Sequence, residues 1–347
     1  MTGTAKARSA AQDPPGIDAA TVSRWLAATA GLRAPLRFTR IGHGQSNLTY
    51  RVDDDAGRRV VIRRPPLGEL ARGAHDMVRE HKILTALAAE AVPTPRPLAI
   101  STDPAVTGAT LYAMEHVDGV VLHTGTSARE LQPRERHRVG IAAIESLAAL
   151  HEIDVDAAGL GDLGRRESYA ERQLRGWDRQ WEATKTRELD TIEMIGRALR
   201  ASIPPQPAAA LVHGDYNLAN LIVAPDGELR AILDWELSTL GDPVADLGTI
   251  LCYWPDQTEQ AIPEREPLSL LPGFCSRQEL IDAYCAAAPG RDLSGLQFWL
   301  ALATWKLAII FEGITRRRLE HAGNSRTSPA TLRRTTEHLA ELAATLI

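Results

Sequence analysis

The chain has 347 residues, a net charge of −5 and three cysteines (Cys252, Cys275, Cys285), with 44% hydrophobic and 24% charged residues. That length suits two domains or one large two-lobed domain, and it can bury a core without metals or disulfide staples. Mild acidity excludes a sequence-independent nucleic-acid binder, and three scattered cysteines exclude a disulfide framework, which points to a reducing, cytoplasmic setting.

Met1 to Pro14 is small, polar and mildly basic, with no apolar segment of a secretory signal, so residues 1–14 read as a disordered tail. Ile17 to Ala30 predicts a helix with Val22, Trp25 and Leu26 on one face. Leu36 to Ile41 reads as a strand and runs into Gly42-His43-Gly44-Gln45-Ser46-Asn47. Leu48 to Val52 resumes strand character, Asp53 to Gly57 is a turn signal, and Arg59 to Arg64 is a further strand. Ala74 to Ala89 predicts a helix burying Met77, Ile83, Leu84 and Leu87, ended by Pro93, Pro95 and Pro97. Strands follow near Leu98–Ser101 and Thr110–Val117.

From Gly119 onward helical periodicity dominates: Arg138–His151, Tyr169–Thr184 and Ile192–Ala201, then a proline-rich linker over 202–207. Leu211 to Trp235 reads as one strand–turn–strand unit. Helices are predicted at Asp246–Tyr253, Arg277–Ala287, Leu296–Arg317 and Ala330–Leu346. The longest apolar stretch, Phe298 to Phe311, is broken by Lys306 and too short to span a bilayer comfortably, so no membrane partner is expected. The fold class is α+β: an antiparallel-sheet first lobe over 15–117 and a mainly helical second lobe over 118–347.

The chemistry concentrates in Leu211-Val212-His213-Gly214-Asp215-Tyr216-Asn217-Leu218-Ala219-Asn220, followed by Ile232-Leu233-Asp234. A polar loop between apolar strands can bring Asp215, Asn220 and Asp234 to one end of a hairpin. Two carboxylates and an amide suit Mg²⁺ and proton removal from a hydroxyl. In the first lobe, Gly42 and Gly44 lie between two strands, where backbone N–H groups could approach phosphates. The third glycine of a G-x-G-x-x-G pattern is replaced by Asn47.

His213-Gly214-Asp215 with Asn220 and Ile232-Leu233-Asp234 resembles the catalytic and metal motifs of the aminoglycoside phosphotransferase (choline kinase-like) family, whose members have the two-lobed protein-kinase-like fold. Gly241-Asp242-Pro243 and Asp246-Leu247-Gly248 extend the match. The resemblance implies ATP and Mg²⁺ as cofactors, Asp215 accepting the substrate hydroxyl proton, and Asn220 and Asp234 holding the metal. It makes His213 a support of the loop and Asp246 its brace. It assigns Gly42, Gly44 and Ser46 to the nucleotide loop, and the backbone of Glu115 and Val117, in the hinge Met114–Val117, to adenine. The phosphate-contacting cation falls on Arg63, with Glu80 as its helix partner, where the family usually has lysine. The alternative reading of Arg63 and Glu80 is a surface ion pair, since such pairs are common and weak.

Only eleven residues (235–245) separate Asp234 from Asp246, too few for a protein-kinase activation segment, so a small-molecule hydroxyl acceptor is expected. Val61-Ile62-Arg63-Arg64-Pro65-Pro66, Tyr169 to Trp181 and Trp305 to Arg318 resemble the subgroup related to the kinase-like region of acyl-CoA dehydrogenase family 10 and 11 proteins. Nothing after Asp246 supplies the length or flavin site of a dehydrogenase. Arg172, Arg175, Arg179 and Arg316–Arg318 lean toward an anionic acceptor such as a hydroxyacyl-CoA, whereas an aminoglycoside pocket would be acidic; the alternative reading of these arginines is an ordinary solvated helix face. Trp177 and Trp181, four apart, suit core packing more than a substrate platform. Two alternatives follow from the same residues: a catalytically silent nucleotide-binding accessory protein of an acyl-CoA dehydrogenase, and an aminoglycoside-type antibiotic kinase.

Overall fold

The computed structural model describes residues 13–42, 47–68, 76–255, 267–320 and 327–347. Its contacts divide the chain into two compact units, one holding the described residues up to Thr85 with Pro95–His116, the other Ala86–Thr94 with Val117–Ile347. The expected disordered tail, apart from Asp13 and Pro14, lies outside the described residues, as do Gly44 and Ser46.

The first unit opens with α1 (Ala19–Ala30), capped by Asp18, whose carboxylate accepts the Thr21 N–H at 2.8 Å. Five strands follow: β1 (Arg37–Ile41), β2 (Leu48–Asp53), β3 (Arg59–Arg64), β4 (Pro97–Ser101) and β5 (Leu111–Glu115). They form an antiparallel sheet in the order β1-β2-β3-β5-β4. On β2, Leu48, Tyr50 and Val52 alternate inward and pack with Val22, Leu26, Val60, Ile62, Leu111 and Ala113. The helix predicted at Ala74–Ala89 is α2 (Met77–Leu87), with Met77, Ile83, Leu84 and Leu87 all buried as the spacing requires. A four-residue turn of helix, α3 (Pro104–Thr107), was not expected; it is too short to show a period and starts on Asp103 as cap.

Arg64, next to Arg63 on β3, is structural. It is 5% exposed and donates to the carbonyls of Gly16, Thr107 (3.0 Å) and Pro65 (3.2 Å). Arg64→Leu leaves three carbonyls without their donor, and a loss of about 2 kcal/mol is expected, read as a lower urea midpoint.

The second unit carries β6 (Val120–Val121), α4 (Gly125–Arg129), α5 (Pro133–His151), α6 (Tyr169–Thr184) and α7 (Asp190–Ala201). Then come β7 (Ala210–Val212), β8 (Leu221–Val223), β9 (Leu229–Ile232), β10 (Thr239–Gly241) and α8 (Val244–Cys252). The chain closes with α9 (Arg277–Ala287), α10 (Leu296–Glu320) and α11 (Pro329–Thr345). α5 begins five residues before the predicted Arg138, since its polar first turn hides the apolar period while Glu135 caps it by accepting the Gln132 N–H (2.6 Å).

The segment from Leu211 to Trp235 is not one strand–turn–strand unit. β7 pairs with β10, while β8 and β9 form a hairpin in a separate sheet with β6. β10 escaped the sequence because three residues, one of them a glycine, carry no readable alternation.

α10 is the axis of this unit and packs against α8, α11, α6 and α7. It has 25 residues and is long and apolar enough to cross a membrane by length and composition, a correction to the shorter stretch read from the sequence; 83% of its most apolar window is buried inside the protein. Its partner α8 comes so close that a Cβ on Gly248 would sit 2.7 Å from the Trp299 backbone, which explains the glycine.

Candidate active site

β7 delivers the chain into His213-Gly214-Asp215. Gly214 has φ of 87°, and a Cβ there would lie 2.8 Å from the Leu237 carbonyl oxygen, so only glycine allows this turn and this crossing. The turn is fastened from α8: Asp246 accepts the His213 N–H at 2.5 Å and the Gly214 N–H at 2.8 Å. His151 of α5 donates Nε2–H to the same carboxylate (3.4 Å), and its Nδ1 meets the Tyr284 hydroxyl at 2.8 Å. Asp246 is 1% exposed. Burial pushes its carboxyl up, but the His151 contact and the Gly214 N–H more than offset this and hold it below the ordinary carboxylate range. A carboxylate with a depressed folded pKa contributes stability above its unfolded pKa, and that contribution is lost as pH falls through the folded value. Asp246→Asn is therefore expected to flatten the acid side of the stability–pH curve below about pH 4, measured by urea unfolding.

His213 is fully buried, with its ring 4.8 Å from that of Trp235. Nε2 donates to the Leu233 carbonyl at 2.8 Å, and Nδ1 accepts the Asp215 N–H at 3.3 Å, a pairing that fixes the Nε2–H tautomer. The ring thus ties the loop to the segment that carries Asp234.

Asp215 is half-buried and held by two amides. Asn217 Nδ2 donates to Oδ1 (3.0 Å) and Asn220 Nδ2 to Oδ2 (3.1 Å), and both also reach the Asp215 carbonyl (3.0 and 2.8 Å). Burial pushes the Asp215 carboxyl up, and the charge of Asp234 adds to this; His213, Asn220 and Lys306 pull the other way. Asn217 was not singled out from the sequence. Its signal was there, since an Asn two residues after an Asp can both cap the Leu218–Asn220 turn, accepting the Ala219 N–H at 3.0 Å, and reach back to the carboxylate.

Asp234 follows β9 with φ of 66°, the left-handed region that a non-glycine residue seldom occupies. The Leu233 N–H donates to the Asn220 carbonyl at 2.8 Å, so Asn220 and Asp234 are neighbours across the β8–β9 hairpin. The structure thereby brings together Asp215, Asn220, Asp234, His213 and Asp246. Among the described residues no group of three or more His, Cys, Asp or Glu side chains could enclose a metal ion. A carboxylate and an amide oxygen suit instead a hard divalent ion that keeps waters and takes phosphate oxygens as its other ligands.

One cation was missed. Lys306, noticed in the sequence only as a break in an apolar run, projects from α10 into a cleft lined also by Tyr169, Gln173, Gly214, Asp246 and Trp299. It is half-buried, with Nζ 5.3 Å from the centroid of the half-buried Trp177 ring. The arginines read as acceptor contacts are placed otherwise. Arg172 donates to the carbonyls of Glu167, Arg165 (2.7 Å) and Leu240 (3.0 Å), Arg316 donates to Ala183 and Glu320, and Arg175 and Arg179 are exposed. Trp181 is core, at 3% exposed. A separate cavity of about 680 Å³, bounded by Ser168, Glu171, Gln206 and Asp242, adjoins the Gly241 end of the β7–β10 pair, away from His213.

In the first unit, Arg63 of β3 and Glu80 of α2 form an ion pair at 2.5 Å, with side chains 10% and 1% exposed. It is a buried pair, not the exposed one the residues alone allowed. Tyr112 of β5 stands opposite Arg63 in register; burial and the Glu80 charge raise its phenol well above the ordinary value. Gly42 ends β1 with φ of 79°, as a glycine turn requires. The Glu115 N–H is already bonded to the Arg96 carbonyl (2.9 Å), and its side chain pairs with Arg96 at 2.6 Å. The unit boundary falls between His116 and Val117.

Residues 37–292 match the model of the phosphotransferase enzyme family. Acyl-CoA dehydrogenase family member 10 of Mus musculus is 33% identical over 312 residues, 89% of this chain and 29% of that protein. Acyl-CoA dehydrogenase family member 11 of Gallus gallus is 34% identical over 293 residues, 82% of this chain and 37% of that protein. The chain thus spans about a third of the length of these curated relatives. A solved structure from Ralstonia eutropha JMP134, provisionally assigned as an aminoglycoside phosphotransferase, superposes with a TM-score of 0.78 at 29% identity, covering 94% of this chain and 98% of that one. The amicoumacin kinase hAmiN, solved with AMP-PNP, Ca²⁺ and its antibiotic, shares the fold at a TM-score of 0.62 and 15% identity, covering 94% of this chain and 95% of that one.

Proposed function

This chain belongs to the phosphotransferase enzyme family, and from that premise we propose that it transfers the γ-phosphoryl group of ATP to a hydroxyl of a small molecule. The observation that carries the reading is the Asp215 carboxylate, held by Asn217 and Asn220 beside Asp234, on a loop clamped by Asp246. The acceptor hydroxyl gives its proton to Asp215 as its oxygen bonds to phosphorus and the bond to the departing ADP oxygen breaks. A Mg²⁺ ion, when bound, would neutralise phosphate charge; Asn220 and Asp234 would hold it. His213 and Asp246 position Asp215. Arg63, anchored by Glu80, takes the phosphate-contacting role that lysine has elsewhere in the family. Gly42, Gly44 and Ser46 belong to the phosphate loop. Since the Glu115 N–H is taken, adenine pairing falls to the remaining backbone groups of Glu115 and Val117.

The acceptor we propose is a hydroxyacyl-CoA or a related anionic metabolite, and the protein works alongside acyl-CoA dehydrogenases in a reducing cytoplasm. The relatives' names and the shortage of acidic groups around Lys306 beyond Asp215 and Asp246 support this over a polycationic antibiotic. Arg63 in place of lysine favours a second reading, a silent nucleotide-binding accessory protein. A substrate screen following ADP formation with hydroxyacyl-CoAs, amino alcohols, sugars and aminoglycosides decides between them. Acceptor-dependent ADP is the expected result; ATP binding with no acceptor stimulating its use would instead support the accessory role.

A further inference from the structure

We infer that Lys306 is the specificity-determining cation of the acceptor site, receiving a carboxylate or carbonyl oxygen of the acceptor while the acceptor hydroxyl faces Asp215. This rests on the phosphotransferase reading and adds to it a residue and a charge requirement. The geometry comes from α10: Trp299, Leu302, Ala303 and Lys306 recur at helical spacing along one face of the same cleft. On the opposite side the cleft is bounded by Gly214, adjacent to Asp215, and by Asp246.

Lys306 is the charged exception within a helix whose residues from Phe298 to Ile309 are otherwise buried. Its Nζ stands over Trp177 and has no hydrogen-bond acceptor or ion-pair partner among the described residues. The ammonium is half-buried beside a ring and has no protein oxygen, so an oxygen arriving with a ligand would meet a cation already partly stripped of water. Burial lowers its pKa, while the charges of Asp215 and Asp246 favour the protonated form. A purely structural role would confine its effect to the Trp177 contact and to stability. The same charge would repel a polycationic acceptor, giving discrimination in both directions.

The test uses Asp215→Asn protein loaded with ADP, which reads binding without chemistry, titrated calorimetrically with 3-hydroxybutyryl-CoA and with kanamycin. The CoA ester is expected to bind, Lys306→Met in that background to weaken it at least about tenfold, and Lys306→Arg to restore it to within about threefold, as for loss and recovery of a charged hydrogen bond. Affinity for ADP is expected to be the same in all three. Failure of the ester to bind, equal affinity in Lys306→Met, or kanamycin binding that Lys306→Met leaves unchanged would overturn the inference. The parent reading fails separately: Lys306-dependent ester binding, with no ester-stimulated ADP formation by the Asp215 protein, would remove phosphoryl transfer and leave the binding role standing.

Discussion

Asp215→Asn is expected to lower acceptor-dependent phosphoryl transfer by about 10³-fold, within the 10²–10⁴ that a positioned general base contributes. Nucleotide affinity should hold, because Asn220 and Asp234 remain. The fold should hold as well. Burial already opposes the charge on Asp215, so removing it relieves a desolvation cost. The substituted amide keeps one acceptor oxygen for Asn217 or Asn220, which together now engage both carboxylate oxygens. Near-zero net change in the urea midpoint is therefore expected beside the loss of turnover. Steady-state kinetics with any acceptor found in the screen provides the check: unchanged kcat would remove Asp215 as the base.

Asp234→Ala and Asp234→Gly are expected to weaken Mg²⁺-dependent nucleotide binding at least about 100-fold, since even groups one bond removed from a metal cost 10–100-fold when lost. The glycine variant separates function from folding. Asp234 sits at φ of 66°, which glycine adopts without strain, so Asp234→Gly should unfold no earlier than the native protein and gain up to about 1 kcal/mol. A protein more stable yet unable to bind Mg·ATP would show that the strained backbone serves the site. Titration with ATP in the presence of Mg²⁺ and of EDTA is the measurement, and retention of the Mg²⁺-dependent increment in affinity would contradict the assignment.

The local pattern carried much of this. Helical spacing marked α6 and α9 to their observed ends and placed Val22, Leu26, Ile83, Leu84 and Leu87 in the core. The order of His213, Gly214, Asp215, Asn220 and Asp234 brought five residues to one place because the segment is short and strand geometry projects its ends together. Asn217 was within reach of the same reasoning, being two residues from the aspartate it holds. Arg63 and Glu80 were paired correctly, but their burial was not visible, since an Arg–Glu pair looks the same on a surface.

Other features depend on segments far apart in the chain. β10 returns to β7, Arg64 binds carbonyls of Gly16 and Thr107, His151 and Tyr284 back the Asp246 clamp, and Lys306 reaches the loop of Asp215 across about ninety residues. In each case the partner is chosen by which helix or strand packs beside it, and periodicity in one segment says nothing about its neighbour's identity. The acidic net charge of the whole chain was equally uninformative about the cleft. The α+β class, most of the helices and the string from His213 to Asp234 were determined by residue type and short-range spacing, where a turn, a cap or a two-residue alternation has few solutions. The burial of Arg63 and Glu80, the engagement of Arg172 by backbone carbonyls and the placement of Lys306 in a cleft with Gly214 and Asp246 were decided by tertiary packing. Only packing sets which charges lose water and which backbone oxygens remain to receive them.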